Sequence, residues 1–479
     1  MRKTVLLFAS MALAVLLGTA VTGSEPSVAQ QSLTKPNLVF ILADDMRKDD
    51  LAYMPKTRAL LGTEGMQFEN AFVSYGLCCP SRATILRGQY AHNTGVWTNG
   101  NSPNTTDGGW EGFKARGHEQ DNLAIRLANA GYRTGLLGKY LNHYRGRAVP
   151  PGWDRWFATS TFRYFDYDVN DNGTIKHFGT AERDYLTDVL RRQTQQFIGG
   201  SVAGGRPFFA YVAPIAPHGP NTPAPRHQHT FDGLKAPRLD SFNEEDVSDK
   251  PPWIQSQPML DDAQIAKIDA RHEGRAETLQ ALDDLVAGVV NKLQSVGALE
   301  NTYIVFTSDN GQHAGEHRIP DGKAQPYEEN IYMPLLVRGP GVKAGSTTDS
   351  LALNTDFFPT FTDLAGATTP EDVDGRTLRP LLEGSMVTTW RTAFLLERGI
   401  HPYPGLSQDA EPLYGIRTSD GRKYVEYSGG FRELYDLKTD PYELLNSYDA
   451  TSPPVGLARR LEALKGCAGA TCRAAEDGP

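Results

Sequence analysis

The stretch Asn37-Leu38-Val39-Phe40-Ile41-Leu42 is a continuous apolar run of strand length, and it passes through Ala43 into Asp44-Asp45. A strand that is apolar at every position is buried on both faces, as in a parallel sheet covered by helices. This reading makes the fold α/β. Carboxylates just past the carboxyl end of such a strand fall where open α/β sheets place their ligands. On its own, the Asp pair could equally be a helix cap.

The same arrangement recurs along the chain. Tyr132-Arg133-Thr134-Gly135-Leu136-Leu137-Gly138-Lys139 reads as a strand leading to a lysine. Phe208 to Ala213 is a buried strand that arrives at Pro217-His218-Gly219-Pro220, where the flanking prolines set a rigid turn. From Glu277 to Leu299 the spacing of Leu279, Leu282, Val286, Val289, Leu293 and Val296 predicts an amphipathic helix. A strand at Tyr303 to Thr307 follows, ending in Ser308-Asp309-Asn310-Gly311. The right-handed helix-to-strand return brings Asp309 and Asn310 to the edge that carries Asp44 and Asp45. Three carboxylates and an amide oxygen are hard ligands, which favour Ca²⁺ or Mg²⁺ over zinc.

Cys78-Cys79-Pro80-Ser81-Arg82, continuing to Leu86 and Gly88, carries the reactive groups. Pro80 suits the first helical position, so Cys78 sits just before a helix N-terminus, which favours an anion. Arg82, one turn on, offers a fork of donors matched to sulfate or phosphate oxygens. Adjacent cysteines rarely reach disulfide geometry with each other.

The pattern C-x-P-S-R-x-x-x-L-x-G from Cys78 to Gly88 resembles the signature of type I sulfatases, and further motifs follow in order over nearly the whole mature chain. The resemblance implies an alkaline-phosphatase-like sandwich, with a large mixed, mostly parallel sheet between helices and a smaller C-terminal antiparallel-sheet subdomain. It implies that an accessory enzyme converts Cys78 to formylglycine, with Cys79 at the variable position. It also implies a divalent cation, calcium ahead of magnesium, held by Asp44, Asp45, Asp309 and Asn310 with residue 78 beside it. Arg82, Lys139, His218 and Lys323 would spread positive charge over the sulfuryl group.

Many sulfatases have G-K-x-H where this chain has Gly138-Lys139-Tyr140-Leu141-Asn142, so the usual His is replaced by Leu141. This version, with Pro150-Pro151-Gly152-Trp153-Asp154, resembles the glucosamine-6-sulfatase branch and its extracellular endosulfatase relatives. Asn142 and His313 are the expected contacts to a sugar ring. His313 and His317 at i, i+4 could bind zinc, but Gly315 between them weakens a helix there.

A net charge of −9 over 479 residues argues against general nucleic-acid binding while leaving room for a local cationic cleft. Arg2 and Lys3 followed by the apolar run Val5 to Leu17 have the layout of a secretory signal peptide, residues 1–29, too short to span a membrane. The expected product is exported and has no membrane partner. Only four cysteines occur, and Cys467 with Cys472 should close a small local disulfide. Residues 35–385 are expected to form the catalytic domain and 386–479 the C-terminal subdomain, where short strands separated by turns such as Ser419-Asp420-Gly421 predict an antiparallel meander. The expected substrate is a sulfated carbohydrate or aryl sulfate. Two rivals share the motifs: a phosphonate or phosphodiester hydrolase with the same nucleophile, and an inactive sulfated-glycan-binding protein.

Overall fold

The computed structural model describes residues 35–100, 106–399 and 411–478, together with Met1. The signal-peptide reading lies outside the described residues. Strand β1 (Asn37–Ala43) is buried at all seven positions. Leu38, Phe40 and Leu42 enter one apolar core, while Val39, Ile41 and Ala43 enter another. The uninterrupted apolar run is therefore two alternating sets of contacts, one per face of the sheet.

Four parallel strands form the centre of a ten-stranded sheet. They are β1, β2 (Arg133–Lys139), β3 (Phe208–Ala213) and β4 (Thr302–Ser308), lying side by side as β4-β1-β3-β2. Ala43 pairs with Ser308, so the carboxyl ends of β1 and β4 are level and Asp44 and Asp309 emerge together. Arg155–Thr159 extends the parallel set beyond β2, and the hairpin Tyr167–Asp171 and Thr174–Phe178 closes that edge antiparallel. Beyond β4, Leu335–Arg338 runs antiparallel. The sheet is thus mixed and mostly parallel, as expected.

Helices cover both faces. On one, Ala83 and Leu86 of helix Cys78–Arg87 and Phe357 and Phe361 of helix Phe357–Ala365 pack on Leu38, Phe40 and Leu42. On the other, Leu186 and Val189 of helix Leu186–Ala203 join Leu279, Leu282, Val286 and Val289 of helix Asp262–Ser295. This last helix begins well before Glu277, the start that apolar spacing predicts. Asp261 and Gln264 form a capping box, and the first turns are mostly polar and exposed, with only Ile265 and Ile268 turned to a small cluster with Ala236 and Leu260. It also stops short of Leu299, where Gly297 turns left-handed at φ 68°.

The C-terminal meander is an antiparallel sheet of Ala393–Arg398, Leu413–Thr418, Arg422–Tyr427 and Arg432–Asp436 in sequence order. Its Phe394 and Leu396 share a core with Phe72, Tyr90 and Ile331 of the main body, and Lys35–Pro479 forms one compact unit. Cys467 and Cys472 are disulfide-bonded, as their spacing suggests.

Candidate active site

Helix Cys78–Arg87 starts at Cys78, two residues ahead of the start that Pro80 suggests. Proline is tolerated throughout a first helical turn because those N–H groups lack intrahelical partners. Leu77 supplies no side-chain cap, and Asn99 Oδ1 accepts from Cys79 N–H at 2.8 Å instead. The helix ends at Gly88, with φ 66°, where an added Cβ would lie 2.9 Å from Phe358 and Val373. A larger residue there would push the helix off the sheet.

At the sheet edge Asp45 adopts a left-handed conformation, φ 65°, which Asp tolerates better than most residues. Its N–H donates to Asp309 Oδ1 at 3.1 Å, and Met46 N–H donates to Ser308 Oγ at 2.9 Å, locking the ends of β1 and β4 together. Cys78 Sγ lies 3.5 Å from Asp44 Oδ1 and 3.7 Å from Asp45 Oδ1. Lys139 donates to Asp44 Oδ2 at 2.6 Å. Lys323 donates to both Asp45 oxygens, at 2.7 and 2.9 Å, and lies 2.9 Å from Cys78 Sγ. Arg82 Nε donates to Asp309 Oδ2 at 2.7 Å and Arg82 Nη1 to the Lys139 carbonyl at 3.1 Å. His218 Nε2 lies 3.6 Å from Asp45 Oδ2, while its Nδ1 is 2.7 Å from the Gly219 carbonyl and its ring stacks on Phe162.

These charges set one another's ionisation. Burial opposes ionisation of Asp44, but Lys139, His218, Arg82 and Lys323 together outweigh it and hold the carboxyl below the usual range. Asp45 is lowered too: burial is overcome by Lys323 and His218 despite the Asp44 charge. Asp309 goes the other way, raised by burial and by Asp44 against the pull of Arg82. Burial pushes the Cys78 thiol far up even with Lys139 and Lys323 beside it. Burial thus disfavours a thiolate at unmodified Cys78.

The donor set fits a hard divalent cation. Asp44, Asp45 and Asp309 each offer an oxygen within 4.8 Å of the others. Asn310 Oδ1 is buried without a hydrogen-bond partner, while its Nδ2 donates to Asp45 Oδ1 at 2.6 Å. Three carboxylates and an orphaned amide oxygen are the ligands calcium or magnesium takes. Asp44, Cys78 and His218 likewise lie within 4.8 Å of one another.

The structure thus gathers Asp44, Asp45, Cys78, Arg82, Lys139, His218, Asp309, Asn310 and Lys323. Arg82 is fully enclosed behind the carboxylates, and Lys139 is nearly so. A cleft of about 260 Å³ opens over Asp45, His218 and Lys323. Asn142 and His313 do not line it. Asn142 is buried with Oδ1 unpartnered. The His313 ring is buried 5.9 Å from that of Tyr327, and burial lowers its basicity. His313 instead acts through its backbone, donating to the Gly322 carbonyl at 2.9 Å beside Lys323. The cleft wall holds Asn221 and also Arg271, Gln312 and Asp321, the last three of which sequence reasoning missed. Arg271 pairs with Asp321 at 3.1 Å, and Gln312 donates to the same carboxylate. Gln312 and Asp321 flank motif residues His313 and Lys323, a proximity that could have flagged them.

Fold and site together define the alkaline-phosphatase-like class of hydrolases. Within it, the sulfatase family model matches residues 36–367, and the model described as N-sulphoglucosamine sulphohydrolase, C-terminal, matches residues 315–463. The chain belongs to the sulfatase family and is a sulfuric ester hydrolase. It is 35% identical to the N-acetylglucosamine-6-sulfatase of Capra hircus over 93% of this chain and 86% of that protein. It is similar to a structure solved in complex with its substrate D-glucosamine-2-N,6-O-disulfate, with TM-score 0.75 and 25% identity over 93% of this chain and 99% of that one. It also shares its fold with the phosphonate monoester hydrolase of Agrobacterium radiobacter, with TM-score 0.71 and 24% identity over 90% and 95% of the two chains. Among the described residues no helix is long and apolar enough to cross a membrane.

Proposed function

We propose that the protein is an exported sulfatase acting on sulfated sugars such as N-acetylglucosamine-6-sulfate, through a nucleophile made at Cys78. The observation that carries this reading is the meeting of Cys78 with Asp44, Asp45 and Lys323 at the floor of a cleft. The extended likeness to an N-acetylglucosamine-6-sulfatase supports the sugar. In this reading residues 35–385 carry the chemistry and 386–479 complete the fold around it. The 1–29 signal layout and a disulfide suited to an oxidising compartment support export.

Residue 78, converted to formylglycine by an accessory enzyme, would supply an oxygen nucleophile for sulfur. A calcium ion held by Asp44, Asp45, Asp309 and Asn310 would supply Lewis acidity beside it. Lys323 and Lys139 bring positive charge to the sulfuryl oxygens, where it counts most as charge develops in a site shielded from water. Arg82 acts from behind, holding Asp44 and Asp309 in register. With Nδ1 of His218 facing the Gly219 carbonyl, Nε2 is the ring atom open to the site, and it would hand a proton to the departing sugar oxygen. A 6-sulfate hangs from a primary carbon, so it can reach the floor while the ring stays near Gln312 and Asp321.

Steady-state kinetics on one set of esters tests the reading. N-acetylglucosamine-6-sulfate should exceed the 3-sulfated isomer in kcat/KM by at least about tenfold, roughly 1.4 kcal/mol. Equal rates on both isomers, with faster turnover of a simple aryl sulfate, would refute the sugar assignment. A phosphonate ester cleaved faster than a sulfate ester of the same leaving group would overturn the preference for sulfur.

A further inference from the structure

Away from the cleft, Asp232, Glu273 and Glu277 each offer a carboxylate oxygen within 4.8 Å of the other two. Glu273 and Glu277 stand one turn apart on helix Asp262–Ser295, and Asp232 comes from the polar segment between residues 221 and 258. Like charges at i, i+4 oppose a helix, and a third carboxylate makes the spot worse. Among the described residues no Lys or Arg forms an ion pair with any of the three. The one basic neighbour is His229, exposed, with Nδ1 2.9 Å from Asp232 Oδ1. Glu273 Oε2 accepts from Gly233 N–H at 2.8 Å, which brings the loop backbone onto the helix.

Glu277 is the second observation. It is only 5% exposed, and its Oε1 is buried with no hydrogen-bond partner. That oxygen, buried without a donor beside two further carboxylates, has among the described residues only the exposed His229 as a nearby counter-charge. We propose that Asp232, Glu273 and Glu277 bind a calcium ion that clamps this loop to the helix. All-carboxylate donors on a loop and a helix suit calcium, which accepts irregular oxygen geometry better than magnesium does. The clamp would also bear on the cleft. The same helix carries Arg271 into the cleft wall, and it packs so closely on the neighbouring turn that a Cβ at Gly274 would lie 2.8 Å from the Asn221 carbonyl.

Calcium bound per chain at equilibrium, measured on the full protein after chelation and refilling, tests the proposal independently of sulfatase activity. Asp232→Asn, on the loop, and Glu277→Gln, on the helix, should each bind one ion fewer than the wild type, with unchanged circular dichroism. Asp309→Ala should lose a different ion, so that combining it with Asp232→Asn removes both. If the catalytic carboxylates held no calcium, the wild type would bind one ion, lost in Asp232→Asn and kept in Asp309→Ala, and the clamp would still stand. The proposal is overturned if Asp232→Asn retains the wild-type count. Its place on an exposed loop keeps that result readable even if Glu277→Gln misfolds.

Discussion

Two adjacent cysteines with opposite surroundings show what a single position decides. Cys78 Sγ faces Asp44, Asp45 and Lys323, whereas Cys79 lies in the apolar core with its thiol pushed up to about 12 by burial. Peptide mass spectrometry on protein made with a maturing enzyme should therefore find the aldehyde or its hydrate at position 78. Cys78→Ala should lose at least about 10³-fold in kcat. Cys79→Ala should keep turnover within a few-fold and lose about 1–2 kcal/mol of stability through the cavity it leaves. A modification at Cys79, or full activity in Cys78→Ala, would sink the mechanism. Asp44, Asp309 and His218 were legible because each follows a strand, and Lys139 because it ends one, where topology delivers them to one edge; Cys78 and Arg82 were legible from their motif instead. Arg271 was not legible because it reads as a solvated charge on a mostly polar helix turn. Asn142 and His313 were expected in the cleft and lie outside its lining, because local sequence does not reveal which way a loop side chain turns.

At the scale of elements, the short helix Ala91–Thr94 follows helix Cys78–Arg87 and is held by one carboxylate from strand Ala393–Arg398. Glu397 accepts from the Ala91 and His92 backbone N–H groups and sits 2.9 Å from His92 Nδ1, while His92 Nε2 is 2.9 Å from the Cys467 carbonyl. Burial disfavours the charged ring, but Glu397 and the Cys467 carbonyl outweigh it and raise His92 from 6.5 to about 9. The folded-state value lies above the unfolded one, so the stabilisation is complete below about pH 6.5 and is lost as pH rises through about 9. A rise of this size corresponds to roughly 3 kcal/mol. Chemical denaturation should show wild type ahead of His92→Gln by about that much at pH 6, with the gap closing by pH 10. A gap that did not change with pH would mean that the ring works only by packing. The strands themselves were legible because β-structure buried on both faces writes itself as apolar runs. The long helix was legible only where it is buried, and its capping box at Asp261 and Gln264 was the overlooked sign of its true start.

For the whole molecule, the decisive fact is that helix Ala470–Asp477 packs back beside the C-terminal end of helix Cys78–Arg87. Glu476, on helix Ala470–Asp477, is completely buried and accepts from Tyr90 Oη at 2.5 Å, Arg391 Nε at 3.0 Å and Arg376 Nη2 at 3.0 Å. Arg391 is itself buried and donates to both oxygens of Asp356, which precedes helix Phe357–Ala365 on the main sheet. Tyr90 stands two residues beyond Gly88, which ends helix Cys78–Arg87. Helix Ala470–Asp477 therefore closes a charged network that joins Tyr90, Asp356, Arg376 and Arg391 within the compact unit Lys35–Pro479. Removing one partner of such a network leaves a buried charge uncompensated, at a cost of about 3–5 kcal/mol, far more than a surface pair is worth. Glu476→Ala should lower the unfolding temperature of the whole chain, including the catalytic core, in a single calorimetric transition. Glu476→Gln keeps an acceptor for Tyr90 and fits the same space, so it should lose less. An unchanged melting temperature in Glu476→Ala, or a separate low-temperature transition confined to the C-terminal sheet, would show that the tail is an appendage to the sulfatase fold.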